Sequence, residues 1–155
     1  MDNSPEYYME RAYQEALRAF DEGEVPVGAV VAGPGGSIIG RGSNAVERLR
    51  DATAHAEILA IGAAAAHQES WRLNDCTLYV TLEPCTMCLG AILNCRLCGV
   101  IYGASDPRLG AVDTHPIAYH ARAAYRTFPT IASGVLAEQC SELLTAFFRQ
   151  LRKKS

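Results

Sequence analysis

Three residues in this chain have the types and spacing to hold one metal ion. Cys85-Thr86-Met87-Cys88 sets two thiols two residues apart, a spacing that lets both bite one ion from the first turn of a helix. His55, at the expected start of another helix, is the natural third ligand. Three protein ligands plus a water describe a catalytic zinc, whereas four protein ligands describe a structural one. Glu57 lies two residues beyond His55, so it faces elsewhere on its turn and is placed to reach that water as a general acid and base.

A rival zinc site would combine Cys85 and Cys88 with the second pair, Cys95 and Cys98. Leu89 to Leu93 reads as helix, and at 1.5 Å per residue it carries Cys95 about 10 Å from Cys88. Ligands of one zinc at ~2.3 Å cannot be so far apart. Cys76, Cys95, Cys98 and Cys140 are therefore expected to be small buried side chains. His67 is expected to cap helix carbonyls, and His115 and His120 to lie at the surface.

The elements that must position these residues follow from pattern. Ser4-Pro5 reads as a helix cap, and Met9, Ala12, Tyr13, Ala16, Leu17 and Phe20 form one apolar face. Val25 to Val31 and Ser37 to about Arg41 read as a hairpin around Gly33-Pro34-Gly35-Gly36. Thr53 is the expected cap of a helix from about Ala54 to Ala66. Thr77 to Leu82 is a strand, followed by a helix from Pro84 to about Asn94 and a strand over Gly99 to Tyr102. Pro116 to Arg126 has room for a helix, Thr130 to Leu136 for a last strand. Leu143, Leu144, Phe147, Phe148 and Leu151 stripe a C-terminal helix. Alternation of helices and strands implies a central mixed sheet covered on both faces.

Composition narrows the class further. With 155 residues, 49% of them apolar and 20% charged, the chain is expected to be one domain, residues 1–155, with a real core. No run approaches the ~18–20 consecutive apolar residues of a membrane span. The first residues show no secretory pattern, so a cytoplasmic protein without disulfides is expected. The net charge of −3 hides an asymmetry: residues 1–102 carry 13 acids against 7 Arg, and residues 103–155 carry 4 acids against 5 Arg and 2 Lys. A basic end fits an anionic partner, and two ordinary solvated faces account for the same counts at least as well.

His-x-Glu followed by Pro-Cys-x-x-Cys, each opening a helix, is the known signature of zinc-dependent nucleobase deaminases. More specifically, Thr53-Ala54-His55-Ala56-Glu57-Ile58 and the run Thr81-Leu82-Glu83-Pro84-Cys85-Thr86-Met87-Cys88-Leu89-Gly90-Ala91 resemble the two zinc motifs of bacterial tRNA-specific adenosine deaminases. Glu24 to Val30, Gly42-Ser43-Asn44 and Phe147-Phe148-Arg149 resemble that family as well. The chain departs from the pattern at Asp51-Ala52, at Ser105-Asp106 and across 110–120.

The resemblance implies an α/β fold of the cytidine deaminase type, a three-layer α/β/α domain around a mixed five-stranded sheet. It implies one zinc per chain on His55, Cys85 and Cys88, with Glu57 catalytic. It also implies a homodimer that converts the wobble adenosine of a tRNA anticodon to inosine. Asn44 and Ala56 are then expected at the base, Asp106 at a ribose hydroxyl, and Arg149 and Arg152 at the RNA. On the residues alone, a turn role explains Asn44 and Asp106 equally well. The alternatives are a deaminase of free guanine or cytosine and a non-catalytic zinc module.

Overall fold

The computed structural model of the chain describes residues 3–117 and 122–154. Helix α1, Pro5–Asp21, starts on its Ser4 cap, whose hydroxyl accepts from the Tyr7 amide at 3.2 Å. Strands β1, Gly28–Ala32, and β2, Ile38–Ser43, form the antiparallel hairpin. A short helix α2, Val46–Leu49, precedes α3, Ala56–Gln68. Then come β3, Thr77–Leu82; α4, Thr86–Asn94; and β4, Gly99–Ala104. Strand β5, Thr130–Ser133, and helix α5, Ala137–Lys154, complete the described elements.

The five strands form one sheet in the order β2-β1-β3-β4-β5. Strand β1 pairs antiparallel with β2 and β3, while β3, β4 and β5 run parallel. Period-two alternation divides the sheet between two cores. Ala29, Val31, Leu78, Val80, Val100 and Tyr102 face the layer of α3 and α4, meeting Ala56, Ala60, Leu89 and Ile92. Val30, Ala32 and Tyr79 face α1, meeting Tyr8, Met9 and Ala12. Helix α5 lies beside α1, with the Phe147 ring edge-on to Phe20 at 5.8 Å. The expected three-layer α/β/α architecture around a mixed five-stranded sheet is what forms.

The alanines of α3 have a specific purpose. The helix lies so close to β2 that a methyl group on Gly42 would stand 2.1 Å from the Ala56 carbonyl oxygen, and one on Gly40 2.3 Å from that of Ala60. Gly42→Ala must push the start of α3, and His55 with it, off the sheet. The expected cost is about 1–3 kcal/mol, read as a lowered denaturation midpoint together with weaker zinc retention.

Several boundaries differ from the sequence reading, each for a local reason. Strand β1 begins at Gly28 rather than Val25, because Pro26 has no amide to give and Val27 turns back onto the Val25 carbonyl at 2.8 Å. The cap position of α3 is His55, not Thr53. The Thr53 hydroxyl and amide both bond to Asp51 Oδ1, at 2.7 and 2.8 Å, closing a tight turn before the helix. Strand β5 stops at Ser133 because Gly134 and Leu136 take positive φ, 90° and 55°. Part of the 116–126 stretch, residues 118–121, and His120 with it, lie outside the described residues. No described helix is long and apolar enough to cross a membrane.

Candidate metal centre and active site

Helices α3 and α4 point their N-termini at the same place. His55 is the N-cap of α3 and Cys85 the N-cap of α4, and neither side chain caps its own helix. The His55 ring is thereby left to meet the thiols: its Nδ1 stands 3.6 Å from Cys85 Sγ and 3.5 Å from Cys88 Sγ. A tetrahedral zinc with its usual bonds to nitrogen and sulfur sets such atoms about 3.6 Å apart. The donor set therefore fits zinc in kind and in spacing. All three donor atoms lie within 4.8 Å of one another, and among the described residues no other such cluster of His, Cys, Asp or Glu exists. The family resemblance and this cluster agree on one zinc per chain.

Electrostatics point the same way. The hydrogen bond from the Cys88 thiol, helped by His55, pulls Cys85 down to about 4. The same bond, together with burial, pushes Cys88 up. The hydrogen bond with Cys85 likewise raises His55. The two neighbouring thiols thus resist ionising together, and a bound cation would favour both thiolates. The N-terminal ends of α3 and α4 add positive potential beside the thiolates.

Glu57 is 4% exposed and sits on the first turn of α3 beside this cluster. Burial lifts its carboxyl to about 7, against the opposing pull of His55 and the Cys88 thiol. A carboxyl in that range both takes and gives a proton near neutral pH.

The remaining expected residues divide. Asn44 is 8% exposed, its amide N–H donates to the Val27 carbonyl at 3.0 Å, and its side chain makes no hydrogen bond to another described residue. A nearly buried side-chain amide with no partner among the described residues is ready for a ligand. Ala56 is fully buried against Gly42, so its backbone is what it can present. Asp106 spends Oδ1 on the amides of Arg108 and Leu109, at 3.0 and 3.1 Å, which is the turn role. Arg149 and Arg152 are exposed on α5. The end of that helix lines a groove with Phe20, Asp21 and Gly23.

Two outcomes qualify the cysteine and histidine readings. Cys76, Cys95 and Cys140 are buried, but Cys98 is exposed, its sulfur 3.8 Å from Thr77 Oγ1 where β4 emerges at the sheet end. His115 is exposed as expected, with Nε2 at 3.2 Å from the Pro107 carbonyl, and His67 makes no cap. Sequence reasoning took Glu24 only as part of a strand-like motif and missed what its side chain holds. Its carboxylate is 1% exposed and accepts from the Glu47 and Arg48 amides at 3.0 and 2.7 Å, anchoring α2 just after Asn44. The contact depends on a helix of four residues, too short to leave a periodic signal.

Against known proteins, the family of the cytidine and deoxycytidylate deaminase zinc-binding region matches residues 2–104. A tRNA-specific adenosine deaminase of Bacillus subtilis (strain 168) is 45% identical over 150 residues, covering 96% of this chain and 91% of the relative. One from Streptococcus pyogenes serotype M1 is 44% identical over 149 residues, covering 96% and 85%. A chain solved in a study of A-to-I editing by tRNA:A34 deaminases at the wobble position of transfer RNA is 39% identical. It superposes with a TM-score of 0.83, covering 88% of this chain and 98% of that one.

Proposed function

Because the chain belongs to the cytidine and deoxycytidylate deaminase family, among its bacterial tRNA-specific adenosine deaminases, we propose that it hydrolyses adenosine to inosine at the wobble position of a tRNA anticodon. The observation that carries this reading is the buried Glu57 carboxyl beside a His/Cys/Cys cluster that lacks a fourth protein ligand among the described residues. A purely structural zinc needs that fourth ligand and has no use for a proton carrier next to it. Residues 1–155 act in this proposal as one zinc-dependent domain, in the cytoplasm with its RNA, as a homodimer that receives the anticodon stem-loop.

His55, Cys85 and Cys88 hold the metal. When bound, zinc would supply the acidification of a water, lowering its pKa towards about 7. Glu57 takes a proton from the attacking water and delivers it to N1 of the adenine ring as that oxygen adds to C6. It then carries the water's second proton to the exocyclic amino group, and the C6–N bond breaks to release ammonia and leave the carbonyl of inosine. Asn44 orients the base through its uncommitted amide. Asp106 retains Oδ2 for a ribose hydroxyl of the flipped nucleotide. Arg149 and Arg152, with Lys153 and Lys154 on the same last turns of α5, meet RNA phosphates.

Salt dependence separates this reading from a free-base deaminase. Each phosphate neutralised contributes about −0.7 to −0.9 to the slope of log affinity against log salt. KM for tRNA should therefore rise steeply with salt, and Arg149→Ala should flatten that slope by about one contact. A salt-independent KM for RNA would count against it.

A further inference from the structure

Glu83 takes no part in the chemistry above, yet its side chain is 2% exposed. It follows the last residue of β3, and only Pro84 separates it from the ligand Cys85. Its carboxylate turns towards the segment that leaves the carboxyl end of β4. Oε1 accepts from the Asp106 amide at 3.1 Å and the Thr114 hydroxyl at 2.5 Å. Oε2 accepts from the amides of Val112, Asp113 and Thr114 at 3.1, 2.9 and 3.0 Å.

The neighbourhood is built around this one group. A methyl on Gly110 would stand 2.4 Å from Cδ and Oε1 of Glu83, so the segment closes on the carboxylate only because residue 110 has no side chain. The Ala111 amide adds a bond to the Pro84 carbonyl at 2.9 Å, directly beside Cys85. Asp106, at the start of the segment, caps its own turn and bonds to Glu83 through its amide. The segment is thus one hydrogen-bonded unit, anchored to the metal-binding turn and forming a wall next to it.

We propose that Glu83, seated against Gly110, is a positioning residue for substrate: it sets the 106–114 wall against the turn that carries Cys85 and Cys88. This rests on the deaminase reading of the site. Glu57 and the zinc ligands are not anchored by Glu83, so loss of the tether weakens binding of substrate more than the chemical step.

The test uses the zinc-loaded protein and two variants, Glu83→Gln and Gly110→Ala. The amide of Gln turns an N–H pair towards donors, and the methyl of Ala displaces the carboxylate. Both variants are expected to keep one zinc per chain and a kcat within about threefold of normal, while KM for tRNA rises roughly 10–100-fold. Without substrate, hydrogen exchange should show the 112–114 amides losing protection while those of α3 and α4 keep theirs. Unchanged protection at 112–114, an unchanged KM, or loss of zinc together with kcat each overturns the proposal. A wild-type protein that turns over no tRNA sinks the functional reading instead, and the exchange measurement then still decides the role of Glu83.

Discussion

Glu57→Ala binds one zinc per chain and loses turnover by about 10⁴-fold, roughly 5.5 kcal/mol of barrier. Both halves of that expectation come from position. The donor atoms clustered for a metal are His55 Nδ1, Cys85 Sγ and Cys88 Sγ, and Glu57 is not among them, so its removal leaves the proposed ligand set whole. Its carboxyl is nevertheless buried beside the cluster, and in the proposed reaction the same group serves successive proton transfers. General acid and base catalysis at one group is worth about 10²–10⁴-fold, and a group used twice belongs at the upper end. Elemental analysis gives the zinc and a single-turnover assay gives the rate. A near-normal rate in Glu57→Ala removes it from the mechanism.

Cys88→Ser has the opposite signature, losing the metal and the activity together. Cys88 is fully buried, so a serine of similar size preserves packing while offering a hard hydroxyl in place of a thiolate. Zinc per chain should fall well below one after dialysis, and turnover should fall with it. Cys95→Ser and Cys98→Ser provide the internal contrast. Cys95 is the C-cap at the far end of α4, and Cys98 stands exposed where β4 begins, so both variants should retain one zinc. Metal loss from either would revive the four-cysteine site.

What could be read from the sequence was what depends on short-range spacing. Cys85-x-x-Cys88 and His55-x-Glu57 each occupy one helical turn, so their relation is set within four residues. Strand β3 was legible at its full length, Thr77–Leu82, because its apolar run is bounded on both sides. The Ser4 cap was equally local. What escaped was long-range and held by the backbone. Four of the five donors to Glu83 are main-chain amides between residues 106 and 114, which carry no residue-type signal. Glu24 likewise holds amides of a helix too short to predict. Thr53 failed as a cap because Asp51 competed for its hydroxyl. The net charge of −3 is misleading when taken whole, since residues 1–102 carry the acidic excess and residues 103–155, which end in the basic last turn of α5, are net positive.

In the proposed reaction the zinc site acts on an adenosine presented by RNA rather than on a free base. Incubating the purified zinc protein with a tRNA bearing an ACG anticodon, and separately with free guanine and free cytosine, decides between the two. Inosine at the wobble position, with both free bases left intact, is the expected result. Deamination of a free base with the tRNA unchanged would contradict it.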